Sequence, residues 1–330
     1  MKAKRTSLED IARAVGVSKA TVSFVLNGKG DDFNISKEKQ QLIKDKAKEL
    51  AYVPNFFAKS LRQGETKTVG VVVSDISNPL YAELCKTIQE ELHKKGYNVF
   101  MVNTNEDKSL EINLMRELIQ RSIDGMIISP SNKIESLIPI LNETHIPVVF
   151  ADRPGDDGTD YVGVDNFEET RKLVKVFSQK PKKLAIIVKN SNIITTLEHR
   201  VKGAIAACEE DGIPYEIVNL SLDQDHANIT IKALLDQGCD AFLALNNVVA
   251  LRTIAGLRQQ KVALGKDIRL ICFEDSELFE FMEPGITALK QPTFTIGKNA
   301  VERLYSRLKE QTQPGQQEVL HCKLILRKSH

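Results

Sequence analysis

Acidic side chains follow three apolar runs of the sequence that we predict to be buried strands. Asp75, Asp152 and the pair Glu274-Asp275 each come just after such a run. Because ligands of open parallel sheets bind beyond the carboxyl ends of the strands, these carboxylates are expected to converge on one cleft. Carboxylates accept hydrogen bonds from pairs of hydroxyls, so the predicted chemistry is the binding of a small polar molecule.

Catalytic chemistry finds little support in the sequence. It contains no G-x-S-x-G, P-loop or H-E-x-x-H motif, and no Cys/His pair with catalytic or metal-binding spacing. The six histidines are scattered, and a glycosidase would need a matched pair of carboxylates for which there is no further sign. We therefore expect a protein that is not an enzyme and that needs neither a cofactor nor a metal.

A second kind of chemistry is indicated near the N-terminus. Ser7 and Ser18 each precede an apolar-periodic run, where a hydroxyl can cap the first free N–H groups of a helix. The apolar positions that fall on one helical face are Leu8, Ile11, Ala12 and Val15, then Val22, Val25 and Leu26. A tight turn at Gly16-Val17 separates the two helices, which predicts a helix-turn-helix whose second helix reads the DNA major groove. A plain helical hairpin is the alternative.

Bulk composition fits these two chemistries. A chain of 330 residues exceeds one typical core, so two or three domains are expected. Residues 1–62 hold 13 basic and 7 acidic residues, a net charge of +6, while the remainder carries −5. A basic head suits phosphate binding. The chain shows no membrane-length apolar run and no signal-peptide pattern, so we expect a cytosolic protein, with its five scattered cysteines as buried free thiols.

Periodicity divides the rest of the chain into a head, a connector and a core. Ser36 is predicted to cap a third helix with Leu42, Ile43, Ala47 and Leu50 on its apolar side. Pro54 ends the head, and Asn55 can cap a helix over 56–62 that is too short to be stable alone. From Thr68 onward strands alternate with helices, which predicts two doubly wound parallel sheets. Predicted strands cover 69–73, 98–102, 125–128, 147–150, 183–188, 215–219, 241–244 and 268–273.

Several motifs resemble those of one known family. They are Asp10-Ile11-Ala12, Gly16-Val17-Ser18, Thr21-Val22-Ser23, Val25-Leu26-Asn27-Gly28 and Tyr52-Val53-Pro54-Asn55. On these motifs the chain resembles, over almost its full length, the lac-repressor (LacI) family of transcription regulators. The resemblance implies a helix-turn-helix head at 1–54, a hinge helix and linker at 55–67, and a core at 68–330. The core is expected to resemble periplasmic sugar-binding proteins, with one lobe at 68–164 and 290–320 and the other at 165–289 and 321–330.

The DNA-contacting residues are expected in the second helix and the hinge. Lys19 can donate to guanine, and Ala20 can pack on a thymine methyl. Phe24 stands where the family frequently has Arg, so one direct base contact is expected to be missing. By resemblance Leu61 is the side chain that enters the minor groove, although a plain linker is the alternative. The full predicted set is Ser18, Lys19, Ala20, Thr21, Ser23, Phe24, Asn27, Asn55, Ala58 and Leu61.

The resemblance also assigns the positions that contact a small effector. These are Leu80, Tyr81, Asp152, Arg200, Asn246, Glu274 and Asp275. Glu274 stands where the family usually has Asp, and Asn247 replaces a usual Asp. A sugar or sugar derivative is the family's most frequent effector, but Lys189 could equally meet a phosphate or a carboxylate.

The sequence therefore predicts a homodimeric transcription repressor that binds operator DNA under the control of a small molecule in the cleft. A rival class is a binding protein that delivers a ligand without touching DNA. The predicted head and hinge argue against that class.

Overall fold

A computed structural model describes residues 6–53, 64–131, 137–143, 146–155, 158–189, 195–309 and 315–330. The chain forms two compact units, Met1–Thr66 and Lys67–His330. The predicted hinge residues Asn55, Ala58 and Leu61 lie outside the described residues.

Within residues 6–53, the first unit contains three helices, α1 (Leu8–Val15), α2 (Lys19–Leu26) and α3 (Lys37–Glu49). Ser7 and Asp10 form a capping box at the start of α1, and Ser18 accepts the Thr21 N–H at the start of α2. Gly16 ends α1 in the left-handed region, with a φ of 70°, which permits the tight turn into α2.

The helices of the first unit share a small core. Ile11, Val22, Val25 and Ile43 are almost fully buried there. Leu42, which periodicity assigned to the apolar side of α3, is instead 51% exposed. Three short helices provide only one narrow apolar seam, and Ile43 and Ala47 already fill the part of it that α3 supplies.

The segment between α2 and α3 is folded back onto both helices. The Asp31 carboxylate accepts from Lys37 Nζ at 2.6 Å and from Gln40 Nε2 at 2.8 Å. The Phe33 ring stacks on Phe24 of α2, with the centroids 3.6 Å apart and the planes 11° from parallel. This loop is therefore held at both of its sides by specific contacts.

The second unit contains two six-stranded sheets. The first consists of β1 (Thr68–Val73), β2 (Asn98–Asn103), β3 (Gly125–Ile128), β4 (Val148–Ala151), β5 (Asp160–Val164) and β11 (Gln317–Leu320). Its order is β11-β5-β4-β3-β1-β2, and every pairing is parallel. The helices that accompany it are α4 (Pro79–Lys94), α5 (Lys108–Gln120), α6 (Ile138–Glu143) and α12 (Thr293–Lys309).

The second sheet repeats this order. It consists of β6 (Leu184–Val188), β7 (Tyr215–Asn219), β8 (Ala241–Ala244), β9 (Arg269–Phe273), β10 (Thr287–Lys290) and β12 (Lys323–Ile325). Its order is β12-β10-β9-β8-β6-β7, and only the edge strand β12 runs antiparallel to its neighbour. The accompanying helices are α7 (Asn166–Val174), α8 (Thr195–Asp211), α9 (Gln224–Asp236), α10 (Asn247–Gln259) and α11 (Glu277–Glu280). We call the parts built on the first and second sheets the N-lobe and the C-lobe.

The central strands are buried on both faces, as expected for parallel sheets covered by helices. All six residues of β1 are buried, and so are all five of β6. Two parallel open sheets confirm the predicted fold class. Four of the five cysteines are buried and Cys322 is half-buried, and all five are free thiols. In the part of the chain that the structure describes, no helix is long and apolar enough to cross a membrane.

Candidate functional site

A polar cavity of about 100 Å³ lies between the two lobes. Eight of its fourteen lining residues lie within three residues after the end of a strand, so the carboxyl ends of both sheets face this space. The lining residues are Asp75, Asn78, Tyr81, Glu106, Asp152, Arg153, Lys189, Thr196, Leu197, Arg200, Leu222, Asn246, Val248 and Glu274.

Asp152 is the central acidic residue of the N-lobe wall. It follows β4 directly and has a φ of 67°, in the left-handed region, and its N–H donates to the Val162 carbonyl at 3.0 Å. Its Oδ2 accepts from the Tyr81 hydroxyl at 2.9 Å and from Ser129 Oγ at 3.4 Å. Burial raises the pKa of the Tyr81 phenol, so this hydroxyl keeps its proton and acts as a donor.

Arg153, the next residue, forms a second polar group on the N-lobe wall. Its guanidinium makes a two-pronged ion pair with Glu106 at 2.8 and 3.0 Å and also donates to the Pro130 carbonyl at 2.9 Å. It lies 5.7 Å from the centre of the Tyr81 ring. The pairing with Glu106 fixes a buried cation beside the Asp152 carboxylate.

The C-lobe wall is organised by Arg200 of α8, which is 2% exposed. Its Nε donates to Asn166 Oδ1, and its Nη1 donates to the Leu245 carbonyl and to Glu274 Oε1, at 2.7 to 2.8 Å. Its guanidinium lies 3.8 Å from the centre of the Phe273 ring. One turn along α8, a Cβ at Gly203 would come 2.2 Å from the Phe167 carbonyl oxygen. The glycine therefore permits α7 and α8 to approach closely enough for the Arg200–Asn166 contact.

Glu274 is the counterpart of Asp152 in the C-lobe. It follows β9 directly, has a φ of 84° and is buried. Burial raises the pKa of its carboxyl, and the guanidinium of Arg200 opposes that increase. Oε1 is bonded to Arg200, while the buried Oε2 has no hydrogen-bond partner within the described residues. A bound molecule with a hydroxyl or amine donor would satisfy this oxygen.

One side-chain hydrogen bond crosses directly between the lobes beside the cavity. Asn247 Nδ2, at the start of α10, donates to Asn78 Oδ1 at 3.3 Å, and the same oxygen caps α4 by accepting the Leu80 N–H. Asn247 is buried, and its own Oδ1 has no partner among the described residues.

The structure brings most of the predicted effector residues together. Tyr81, Asp152, Arg200, Asn246 and Glu274 all line the cavity. Asn246 also caps α10, with its Oδ1 accepting the Val249 N–H at 2.9 Å. These placements agree with the predicted cluster, although an effector contact by any of them remains a prediction.

Two predicted effector residues are not among the lining residues. Leu80 is half-buried and packs against the main core of the second unit. Asp275 forms a two-pronged ion pair with Arg327 at 2.7 and 3.2 Å. The acidic side chain after β9 that faces the cavity is thus Glu274, while its neighbour Asp275 is neutralised elsewhere.

Sequence reasoning did not select several lining residues, notably Asn78, Glu106, Arg153 and Thr196. Glu106 and Arg153 each follow a strand of the first sheet closely, which is the signal that could have identified them. Lys189, which follows β6, is predicted from the sequence as an alternative contact for a phosphate or a carboxylate. It lines the cavity and has no ion-pair partner among the residues that the structure describes.

The predicted DNA-contacting residues of α2 lie on its accessible side. Ser18, Lys19, Ala20 and Asn27 are exposed, and Thr21, Ser23 and Phe24 are half-buried. Ser18 Oγ is hydrogen-bonded to Thr21 Oγ1 at 2.8 Å, and Asn27 Nδ2 donates to the Ser23 carbonyl at 2.6 Å. Phe24 is occupied by its stack with Phe33. In the described part of the chain, no group of His, Cys, Asp and Glu side chains is arranged to hold a metal ion.

Two family models match the chain. Residues 7–55 match that of the bacterial regulatory proteins of the lacI family, and residues 66–323 match that of the periplasmic binding proteins and sugar-binding domain of the LacI family. The transcriptional regulator KdgR of Bacillus subtilis is 30% identical, over 98% of this chain and 97% of its own. The transcriptional repressor PurR of Aliivibrio salmonicida is 27% identical over 98% of both chains.

Solved structures agree with these matches. The lac repressor dimer bound to operator and the anti-inducer ONPF superposes with a TM-score of 0.85, at 21% identity, over 99% of both chains. The complex of the regulator CelR with cellobiose gives a TM-score of 0.69, at 25% identity, over 99% of this chain and 100% of CelR. The helix-turn-helix, the two similar lobes and the matches over nearly the whole length lead to one conclusion: this chain belongs to the LacI family, and it is a DNA-binding transcription regulator and not an enzyme.

Proposed function

We propose that the protein is a cytoplasmic repressor whose affinity for operator DNA is controlled by a sugar or sugar derivative bound between the lobes. The observation that carries this proposal is the pair of opposed polar walls, Tyr81–Asp152 on one side and Arg200–Glu274 on the other. Each wall belongs to a different lobe, so a molecule that contacts both changes the free energy of one lobe arrangement relative to another.

The chemistry of the two walls favours a ligand rich in hydroxyl groups. Asp152 and the unpaired Glu274 Oε2 offer acceptors, while Asn246 and Asn78 offer amide groups. A sugar hydroxyl can donate to a carboxylate and accept from an amide at the same time. CelR, a relative by structure, was solved with cellobiose, which supports the same ligand class for this cleft.

A sugar derivative with a phosphate or carboxylate group is the second candidate. Lys189 favours it, because this lysine lines the cavity without a carboxylate partner among the described residues. Arg153 and Arg200 do not offer the same free charge, since each already pairs with a glutamate. Lys189 is thus the group that separates the two ligand classes.

Operator binding is assigned to the accessible side of α2, whose first residues Lys19 and Ala20 are exposed. We propose that two chains bind together, as the lac repressor does in its operator complex. Asn55, Ala58 and Leu61 are proposed to act as a hinge between head and core.

A ligand screen tests the effector proposal. Purified full-length protein would be heated with neutral sugars, sugar acids and sugar phosphates, because a ligand that binds only the folded state raises the melting temperature. Any compound that raises it would be tested again with Lys189→Met. A neutral sugar should bind both proteins equally, whereas an anionic derivative should lose affinity for the variant.

Operator binding is tested separately with the same protein. Gel-shift selection from a random duplex library should enrich one sequence, and the ligand from the screen should change the affinity for it. Lys19→Ala should relax the preference at one base pair and weaken binding by about 1–3 kcal/mol. Enrichment of no sequence would contradict the assignment of a specific operator.

A further inference from the structure

The accessible side of α2 carries a strip of apolar groups. Ala20 and Phe24 are one helical turn apart and therefore lie on the same face. Ala20 is exposed and Phe24 half-buried. The polar residues Lys19 and Ser23 precede each of them in the sequence, so polar and apolar groups alternate along this side of the helix.

Phe33 extends this strip beyond the helix. Its ring stacks on Phe24 at a centroid distance of 3.6 Å, yet 50% of Phe33 remains exposed. Two rings stacked in this way present a joint edge to the solvent, and the burial of Phe24 beneath Phe33 is incomplete. Phe24 and Phe33 therefore form one continuous apolar surface with the exposed Ala20.

The loop that carries Phe33 is fixed by hydrogen bonds. The Lys29 N–H donates to the Phe24 carbonyl at 2.8 Å, and the Ile35 N–H donates to the Gly30 carbonyl at 2.9 Å. The contacts of Asp31 with Lys37 and Gln40 attach the same loop to α3. These bonds lower the pKa of the Asp31 carboxyl, so the clamp is charged at neutral pH. Phe33 is therefore held in place before any partner arrives.

The chemistry of phenylalanine limits what this strip can recognise. It offers no hydrogen bond to the donor and acceptor pattern of base edges. The C5-methyl group of thymine is the one apolar group that base pairs display in the major groove, and alanine and phenylalanine are suited to contact it.

We propose that Ala20, Phe24 and Phe33 form one apolar surface that reads thymine methyl groups in the operator. Phe33 is then a specificity-determining residue outside the recognition helix. This inference rests on the proposed binding of α2 in the major groove. The inference adds thymine, at the positions beneath the strip, to the guanine that Lys19 is expected to contact.

Replacing single thymines by uracil tests the proposal, because the exchange removes the methyl group and leaves base pairing unchanged. Full-length protein would first select its operator from a random duplex library, and each thymine of that operator would then be replaced in turn. At one or more positions, uracil should weaken binding about fourfold, the value of one buried methyl-sized group. With Phe33→Ala and with Phe24→Leu, the ratio of the affinities for the thymine and uracil operators should fall from about four toward one.

Leu42→Ala is the matched control, since Leu42 lies on α3 with 51% exposure and should leave the uracil penalty unchanged. Circular dichroism of each variant reports whether the head remains folded, and Phe33→Ala, which removes a half-exposed ring, keeps the test valid if Phe24→Leu unfolds. Specific binding without any uracil penalty, or a penalty that survives Phe33→Ala, would overturn the proposal while operator binding stands. If no operator is selected at all, the proposed function fails, and this inference with it.

Discussion

Each wall of the cleft carries an acidic residue at the same topological position, but the hydrogen-bond partners of the two carboxylates differ. Asp152 follows β4 and Glu274 follows β9, and these strands occupy equivalent places in the two sheet orders. Both residues have positive φ values, 67° and 84°, which non-glycine residues adopt only where the surrounding structure enforces it. The same backbone conformation therefore recurs at equivalent places in the two lobes, and at both places the carboxylate lines the cavity.

The partners of the two carboxylates differ. Asp152 accepts from neutral hydroxyls, those of Tyr81 and Ser129, whereas Glu274 is bonded to the guanidinium of Arg200. Hydroxyl donors therefore hold the N-lobe carboxylate, while the neighbouring Arg153 guanidinium is bonded to Glu106. The C-lobe carboxylate is compensated, and its contribution depends on the arginine. The same position thus accepts hydrogen bonds from hydroxyls in one lobe and forms one half of an ion pair in the other.

Removal of Arg200 should have the largest effect on this contrast. Arg200→Ala leaves Glu274, Asn166 and the Leu245 carbonyl without their donor, and breaking a buried ion pair costs about 3–5 kcal/mol of folding free energy. Urea unfolding measures the loss. Calorimetry with the effector found by screening should show no binding. Retained affinity would remove Arg200 from the site.

A control on the protein surface shows how much stability is lost when an exposed ion pair is removed, for comparison with the buried Arg200–Glu274 pair. Lys202→Ala, on the same helix, removes an exposed pair with Glu198 and should change stability by less than about 1 kcal/mol.

Loss of the Tyr81 hydroxyl should have an intermediate effect. Tyr81→Phe keeps the buried ring but deprives Asp152 of its 2.9 Å donor, which we expect to cost about 1–3 kcal/mol. Ser129→Ala, which removes two longer contacts, at 3.4 Å to Asp152 and at 3.3 Å to the Tyr81 hydroxyl, should cost less. Equal losses in thermal unfolding would show that the N-lobe carboxylate does not depend on the phenol.

The pH dependence of the unfolding free energy that Glu274 causes should be a smaller effect. Burial raises the pKa of Glu274 above its ordinary 4.5, so its contribution to stability is complete below pH 4.5 and is lost as the pH rises through the folded-state pKa. Glu274→Gln removes this dependence. The unfolding free energy of the wild type minus that of the variant should therefore fall between pH 4.5 and neutral pH. A difference that rises with pH would mean that the Arg200 ion pair outweighs burial.

The interlobe amide contact should give the smallest effect. At 3.3 Å, the hydrogen bond from Asn247 to Asn78 is long, and we expect a coupling of about 0.5–1 kcal/mol. A double-mutant cycle of Asn78→Ala and Asn247→Ala measures that coupling and cancels the separate loss of the α4 cap. A coupling of zero would show that the lobes meet here without mutual stabilisation.

The fold was largely predictable because parallel strands are apolar throughout and helices begin at capping residues. Predictions were least accurate where a helix starts with a polar turn. Apolar periodicity alone predicts helices over 200–211 and 229–237. The corresponding helices begin earlier, at Thr195 and Gln224, because their first turns carry no apolar periodicity. Asp223, which accepts the His226 N–H at 3.0 Å, was the available signal.

The sequence predicted where the acidic residues of the cleft lie, but not which ion pairs the charged side chains form. The rule that ligands lie beyond strand ends indicated Asp152 and Glu274 from sequence. It could not show that Asp275 turns to Arg327 or that Glu106 pairs with Arg153. Those choices depend on side-chain distances between segments far apart in the chain, which no local pattern encodes.

The placement of β11 and β12 has a consequence for how the protein is made. Residues 317–320 complete the edge of the first sheet beside β5, and residues 323–325 complete the second beside β10. During synthesis, neither sheet can be completed until residues 317–325 have been added to the chain. A product truncated before residue 317 would expose two unpaired strand edges at once, and such edges recruit other chains. Premature termination should therefore yield aggregates and not one soluble lobe.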